Sequence, residues 1–337
     1  MHKDASYHLS EAAVPSEMKI PIQIVREICR HAGSHDLIEA AHRNLTEEGV
    51  TQAVRQHDSA TIFEWLLKAV SYQGISDYVA TNYMEKNGTA SFSEIANSLA
   101  LAGTCAKLSS FTAYEDCGYE KTRRICGNPS ELHCCPVPLL PLRNGRLCQT
   151  AISLFLFNRD IARGDLVAWI DGNSGFGPPE WAATRLSTAL GAVFGISHKV
   201  AALALSGLLL ACSKFRRRWG EVGAELVVVD TLVHNFLCRT GILRHLGAEH
   251  AYGPSCYLDG GCSDVVRRIA RYIDAAQFNP AYPSRFPRFV QQAIWRFCAE
   301  LELDFCNGRR VNDRLGCRQS HCAVFELCCR EPIKDAK

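Results

Sequence analysis

Apolar residues recur at helical spacing over most of the chain, and this pattern is the main guide to its structure. One clear example begins at Asp58 and Ser59, which can cap a helix, and continues as an apolar face. That face consists of Phe63, Leu66, Leu67, Val70 and Ile75. The pattern predicts an amphipathic helix followed by a turn at Gly74. Helical spacing returns in residues 151–171, and again after Pro178 and Pro179, which favour a helix start.

The longest apolar run predicts a buried helix. Val200 to Cys212 is almost wholly apolar, but Ser206 and Gly207 interrupt it and a basic block follows, so it is too short to span a membrane. Around this run, residues 186–243 predict a helix, a tight turn, a long helix, a basic break and another helix. Residues 286–305 predict one more helix. With no repeat and no parallel-sheet pattern, the sequence predicts an all-α fold.

Helical periodicity disappears between Cys105 and Cys148, where Cys, Pro, Gly and Arg accumulate. An aperiodic stretch of this length needs another source of order. We therefore divide the chain into an N-terminal helical extension at 1–57, the first part of a helical domain at 58–103, a cysteine-rich insertion at 104–150, the rest of the helical domain at 151–300 with a hairpin at 186–212, and a cysteine-rich C-terminal loop at 301–337.

Composition narrows the class of protein only a little. Of the 337 residues, 47% are hydrophobic and 21% are charged, which is typical of a folded protein. The formal net charge of +2 does not by itself indicate a nucleic-acid partner. The first residues lack the apolar core of a secretion signal, so we expect a cytoplasmic protein, associated with the nucleoid in a bacterium. In that compartment the 17 cysteines favour metal ligation over disulfides.

The turn between the two apolar helices carries the first specific motif. Residues 193–201 read Val-Phe-Gly-Ile-Ser-His-Lys-Val-Ala. This segment resembles the hairpin Leu-Pro-Gly-Val-Gly-Arg-Lys-Thr-Ala of the helix-hairpin-helix base-excision DNA glycosylases of the endonuclease III type. The resemblance aligns Gly195 with the first hairpin glycine and Lys199 with the lyase lysine. Ser197 replaces the second glycine and Phe194 replaces the proline.

A second motif follows in the order that the family has. Residues 228–234, Val-Val-Asp-Thr-Leu-Val-His, resemble the Val-Asp-Thr-His-Val stretch that holds the family's catalytic aspartate. The resemblance implies that Lys199 is the nucleophile and Asp230 the electrostatic and proton-transfer partner. Lys199 and Asp230 are further apart along this chain than in simple family members. The alternative interpretation is that Lys199 is a solvated residue on a structural hairpin and Asp230 is a helix N-cap.

The resemblance also implies how DNA is held. In the family, the target base is flipped out of the duplex into a cleft between two helical lobes. The hairpin residues Gly195, Ser197 and His198 would hold phosphate through backbone N–H groups at a helix start. Gln73 ends a segment similar to the family's early helix, whose glutamine fills the space left by the flipped base. Arg216 and Arg217, in the basic-aromatic block 214–219, are further predicted DNA contacts.

Two groups of cysteines predict metal sites. Cys306, Cys317, Cys322 and Cys328 resemble the endonuclease III cluster loop, and the last spacing is the same, which implies a [4Fe–4S] cluster. Longer first spacings leave zinc or no metal as alternatives, and Cys329 could replace Cys328. In the insertion, Cys117, Cys126, Cys134 and Cys135 could bind zinc, or they could be scattered thiols. We assign no role to Cys256 and Cys262.

Taken together, the motifs predict a two-lobed all-α glycosylase-like fold. We expect a monomeric DNA N-glycosylase and AP lyase that removes a damaged or mismatched base from double-stranded DNA, acts on abasic sites and binds no membrane. The main alternative is a non-catalytic DNA-binding or damage-sensing protein of the same fold. A third hypothesis is a metal-dependent structural protein without affinity for duplex DNA.

Overall fold

The computed structural model describes residues 14–32, 36–71, 77–87, 90–101, 105–115, 117 and 145–333. This part of the chain is helical and contains no β-strand, as the periodicity predicted. Its α-helices are α1 (Lys19–Ala32), α2 (Leu37–Glu47), α3 (Val50–Gln56), α4 (Ser59–Ser71), α5 (Asp77–Asn87), α6 (Phe92–Leu101), α7 (Phe111–Tyr114), α8 (Gly145–Leu156), α9 (Leu166–Ser174), α10 (Pro179–Gly191), α11 (His198–Ala211), α12 (Arg217–Ala224), α13 (Thr231–Arg239), α14 (Ile242–His245), α15 (Cys262–Ala270) and α16 (Pro287–Cys298).

The helices belong to two compact units. The inner unit comprises residues 37–228, and the terminal unit combines residues 1–36 with residues 229–337. The terminal unit is therefore discontinuous in sequence, with α1 from the start of the chain packed on α15 and α16 from its end. These units cut across the sequence-based segments, since the boundary at Val228 falls inside the segment 151–300.

The core of the inner unit is organised around α11. This helix is rich in Ala and Leu, which form helices readily, and nine of its residues from Ala201 to Ala211 are buried. α2, α10 and α12 pack against it. The approach of α12 is close, because a Cβ on Gly223 would lie 3.0 Å from the Cβ of Leu209. The prediction that the longest apolar run is a buried helix is confirmed.

Residues 151–171 form two helices rather than the single one predicted. α8 passes into a π-helical turn at Phe157–Ile161, and α9 begins only at Leu166. Arg163 and Gly164 between them have positive φ angles of 53° and 79°, which end a right-handed helix. Asp165 then caps α9 by accepting a hydrogen bond from the Ala168 N–H at 2.9 Å.

The terminal unit has a second apolar core. Phe236 of α13 meets Phe297 of α16 edge to face, with 6.2 Å between ring centroids. The guanidinium of Arg26 in α1 donates a hydrogen bond to the carbonyl oxygen of Tyr272 at 3.0 Å. The predicted helix at 286–305 ends at Cys298, because Ala299 has an extended conformation. From there to residue 333 the chain forms turns and contains no helix.

None of the helices in the described part of the chain combines the length and the apolar character needed to cross a bilayer.

Candidate functional site

The hairpin predicted from the sequence is present in the inner unit. α10 ends at Gly191 and α11 begins at His198, and the turn between them has φ +82° at Gly195. Only glycine suits this position, because a Cβ would lie 2.7 Å from the Oγ1 of Thr150 in α8. α8 also fixes the turn through Ser153, whose Oγ accepts a hydrogen bond from the Phe194 N–H at 3.0 Å.

The sequence-predicted side chains of the hairpin lie at the start of α11. Ser197 is the N-cap, and its Oγ accepts a hydrogen bond from the Val200 N–H at 3.4 Å. His198 is exposed and Lys199, in the first turn, is half-buried. Ser197 stands where the family has the second hairpin glycine, and its cap hydrogen bond stabilises the start of α11.

The two arginines predicted as DNA contacts differ in their surroundings. Arg216 forms an ion pair with Asp171 at 2.5 Å, and its guanidinium lies 4.9 Å from the ring centroid of Trp219. The Trp219 indole N–H also donates to Asp171, at 2.7 Å, so this carboxylate joins α9 to α12. Arg217 is 95% exposed, with Glu221 at 3.4 Å. Only Arg217 presents its charge fully to solvent.

Asp230 lies in the terminal unit and caps α13. Its carboxylate accepts a hydrogen bond from the Val233 N–H at 2.9 Å. Burial raises the pKa of the neighbouring Tyr252, and the Asp230 charge adds to this shift. Complete burial lowers the pKa of Arg288 to about 10, although Tyr257 and Asp230 oppose the shift. Asp230 is thus near a buried cation and two phenols.

Lys199 and Asp230 belong to different units, the inner and the terminal one. Each is at the start of a helix, so both side chains have a defined local environment. Their proposed joint action remains a prediction.

The four cysteines predicted to hold a cluster line one cavity in the terminal unit. Cys306 is buried, and Cys317, Cys322 and Cys328 are half-buried. Aromatic side chains form much of the wall, namely Phe236, Phe297, Phe305 and Phe325. Burial raises the pKa of Cys328 to about 12 and also raises that of Cys322, and negative charge on the other thiols of the group contributes to both shifts.

One buried cation faces this cavity. The Arg239 guanidinium is 3.1 Å from the Sγ of Cys306 and also pairs with Asp313, and its side chain is only 2% exposed. The pKa of Cys306 is lowered because Cys298 donates a hydrogen bond to it and Arg239 stabilises its thiolate. The cavity is therefore suited to a group that carries negative charge on its sulfur ligands.

A second group in the terminal unit was not predicted. His234, His250, Cys256 and Cys262 bring one ligand atom each to within 4.8 Å of one another. His234, Cys256 and Cys262 are buried, and His250 is half-buried. Two imidazoles and two thiols are a common donor set for zinc, so this group could hold a metal such as zinc. Cys256 and Cys262, to which the sequence assigned no role, thus belong to a group of donors that could bind a metal ion.

Distances within this group are short. The Nδ1 of His234 is 3.2 Å from the Sγ of Cys262 and 3.5 Å from the Sγ of Cys256. The Nε2 of His250 is 3.4 Å from the Sγ of Cys262. A hydrogen bond from Cys262 and contacts with both imidazoles lower the pKa of Cys256, and the same shared proton raises that of Cys262.

The sequence did contain a signal for this group. Three histidines and three cysteines fall within residues 234–262, the four members of the group among them. Gly253-Pro254 and Gly260-Gly261 mark turns beside Cys256 and Cys262. Spacings of 15, 5 and 5 intervening residues match no compact zinc motif, however, because the donors come from a helix, a loop, a turn and the next helix.

Several predicted site residues lie outside the described part of the chain. These are Gln73, Cys126, Cys134 and Cys135. Cys117 is described as half-buried and is packed against the core of the inner unit. Zinc binding by the insertion therefore stays a prediction.

Comparisons with known proteins add no family to these observations. Neither a protein-family model, nor a curated protein, nor a solved structure matches the chain.

Proposed function

We propose that this protein is a DNA-repair N-glycosylase with AP-lyase activity, of the helix-hairpin-helix type that its motifs resemble. The observation that carries the proposal is the hairpin of α10 and α11. Its Gly195 turn is fixed to α8, and it presents Lys199 in the first turn of a helix whose remainder is buried in the core. Such a helix start favours phosphate binding, because backbone N–H groups and the positive end of the helix dipole face the ligand.

The proposed chemistry assigns one role to each residue of the pair. The Lys199 amine, once unprotonated, forms a bond from its nitrogen to C1′ while the glycosidic bond breaks and the base leaves with a proton. Opening of the sugar ring then gives a Schiff base, which permits strand cleavage. Asp230 would stabilise positive charge on the sugar and transfer the proton.

The second candidate function is DNA binding or damage sensing without catalysis. Two observations favour this function. In both, a residue predicted to act on DNA makes contacts that stabilise the fold instead. Asp230 caps α13, and Arg216 is engaged by Asp171 and Trp219. A protein with these contacts could keep the hairpin grip on phosphate without cleaving any bond.

We further propose that Cys306, Cys317, Cys322 and Cys328 hold a [4Fe–4S] cluster. The residues fit this group, since they line one largely apolar cavity beside the buried Arg239 cation. A cluster takes each sulfur at a different iron, so its ligands need not converge on one point as those of a single ion do. When bound, it would cross-link the C-terminal residues that have no helix of their own.

Borohydride trapping on duplex DNA with an abasic site tests the catalytic proposal. Wild-type protein should form a covalent adduct, and Lys199→Gln should abolish it. The matched control is Lys68→Gln, because Lys68 is an exposed lysine of the same unit that pairs with Glu48 and lies outside the predicted DNA contacts. Asp230→Asn should retain the helix cap and lower excision, because asparagine caps as well as aspartate but carries no charge.

The outcomes separate the candidate functions. An adduct that depends on Lys199 supports the lyase proposal and contradicts a purely sensing role. Tight binding without an adduct would favour sensing or a glycosylase without lyase activity. Absence of duplex binding at moderate salt would overturn both DNA functions.

A further inference from the structure

The His234, His250, Cys256 and Cys262 group has the dimensions of a tetrahedral metal site. Zinc bonds of about 2.3 Å to sulfur and about 2.0 Å to nitrogen place neighbouring N and S ligands about 3.5 Å apart in a tetrahedron. The three N–S distances within the group, 3.2, 3.5 and 3.4 Å, agree with that value. Among the residues that the structure describes, this is the group whose donors converge in this way.

Hydrogen bonds to the opposite ring atoms orient both imidazoles. The Nδ1–H of His250 donates to the carbonyl oxygen of Ala248 at 2.7 Å, so the lone pair is on Nε2, the atom that faces Cys262. The Nε2 of His234 meets the Sγ of Cys238 at 3.4 Å, and its Nδ1 faces the two thiols. Histidines that bind metals usually have their second nitrogen held in this manner.

The two backbone segments that carry Cys256 and Cys262 lie very close to each other. Cys256 lies in a 3-10 turn at Pro254–Tyr257, and Cys262 is the first residue of α15. Gly261 precedes Cys262, and a Cβ there would lie 2.2 Å from the carbonyl oxygen of Ser255 and 2.9 Å from the carbonyl carbon of Cys256. Only glycine allows the two cysteine-bearing turns to come this close.

We propose that His234, His250, Cys256 and Cys262 bind one zinc ion as a closed structural site. Four protein donors complete a tetrahedron and leave no position for substrate, which separates a structural from a catalytic zinc site. Mixed imidazole and thiolate donors favour zinc over magnesium or calcium. The ion fastens the loop 246–261 to α13 and α15, and this proposal does not depend on the proposed DNA chemistry.

Metal analysis of the full-length protein tests the site. Zinc and iron are measured in parallel by mass spectrometry for wild type, Cys262→Ser, His250→Ala and Cys328→Ser. The matched control is Cys29→Ser, a fully buried cysteine of the same unit outside both groups. We expect Cys262→Ser and His250→Ala each to lower zinc by about one ion per chain, with iron unchanged. Cys328→Ser and Cys29→Ser should leave zinc unchanged.

A measurement on wild-type protein covers the case in which the variants fail to fold. After exchange with Co²⁺, a tetrahedral site with two thiolates gives strong d–d bands and sulfur-to-cobalt charge transfer, and added Zn²⁺ should displace them. Absence of these bands from folded wild-type protein would overturn the proposal. It would equally be overturned if Cys262→Ser and His250→Ala kept the wild-type zinc content, because the zinc would then be elsewhere.

Discussion

The two cysteine groups of the terminal unit share one helix but differ in their geometry. α13 contributes His234 to the His/Cys group and, five residues later, Arg239 to the wall of the four-cysteine cavity. In the first group the donors converge within 4.8 Å, and a carbonyl orients one imidazole. In the second, four thiols line a cavity whose charge is supplied by a guanidinium.

This difference shows how surroundings indicate what a cysteine group can bind. Converging donors of two kinds, with their second atoms already hydrogen-bonded, suit a single ion. Dispersed donors of one kind, in an apolar cavity with a compensating cation, suit a larger anionic group. Because α13 connects them, experiments on that helix and on each group separately can test whether the two are independent.

The largest expected effect is on local order around the His/Cys group. Removal of zinc with a chelator should speed amide hydrogen exchange in residues 246–262 by up to about a thousandfold, the factor that corresponds to a free zinc concentration a thousand times Kd. Residues 306–330 serve as the internal control. Equal acceleration in both segments would show that the two groups are one cooperative structure.

The sequence predicted the helices and the hairpin because both depend on local patterns. The apolar face of α4 and the buried α11 follow from residue spacing, and Gly195 marks the turn. The break between α8 and α9 was missed because its cause, positive φ at Arg163, has no side-chain signal. The sequence feature that indicated this break was Gly164, because glycine readily adopts a positive φ.

The candidate sites depend even more than the helices on contacts between residues that are distant in sequence, and local patterns do not show such contacts. The four cysteines that line one cavity could be grouped from the sequence because they all fall within residues 306–328. His250 was not predicted as a donor, because its place in the candidate metal group depends on a hydrogen bond to the Ala248 carbonyl and on a thiol from the start of α15. Such tertiary convergence is not visible in spacing alone. Asp230 differs from His250, because the sequence predicted it as a possible helix N-cap, and the structure places it at the N-cap of α13.

The second prediction concerns the cation of the four-cysteine cavity. Arg239→Gln should lower the free energy of unfolding by about 3 kcal/mol, because it leaves the Asp313 carboxylate without its buried partner. It should also reduce iron content while zinc stays bound. Urea unfolding and metal analysis provide the measurements, with the exposed Arg217→Gln as control. A parallel loss of zinc would mean that the groups are coupled through α13.

A smaller effect is expected at Gly261. Gly261→Ala forces the Ser255 carbonyl away from the new Cβ, which should cost roughly 1–3 kcal/mol and weaken zinc binding. Gly207→Ala in α11 is the control, since nothing lies within 4 Å of its Cβ and alanine favours a helix. Competition with a chromogenic chelator gives the zinc affinity, and unchanged affinity in Gly261→Ala would contradict the close approach of the two turns.

The smallest predicted effect is on stability, at the N-terminus of α13. This helix contributes a residue to each of the two groups. Asp230→Ala removes the side chain that accepts the Val233 N–H and should lower the free energy of unfolding by about 1 kcal/mol, whereas Asp230→Asn should change it by a few tenths. Because the cap is about one turn from His234 and about two and a half turns from Arg239, fraying should weaken zinc retention more than iron retention. Thermal unfolding and metal content of the two variants provide the measurement. Equal loss of stability in Asp230→Ala and Asp230→Asn would show that the charge of Asp230, rather than its cap, stabilises the terminal unit.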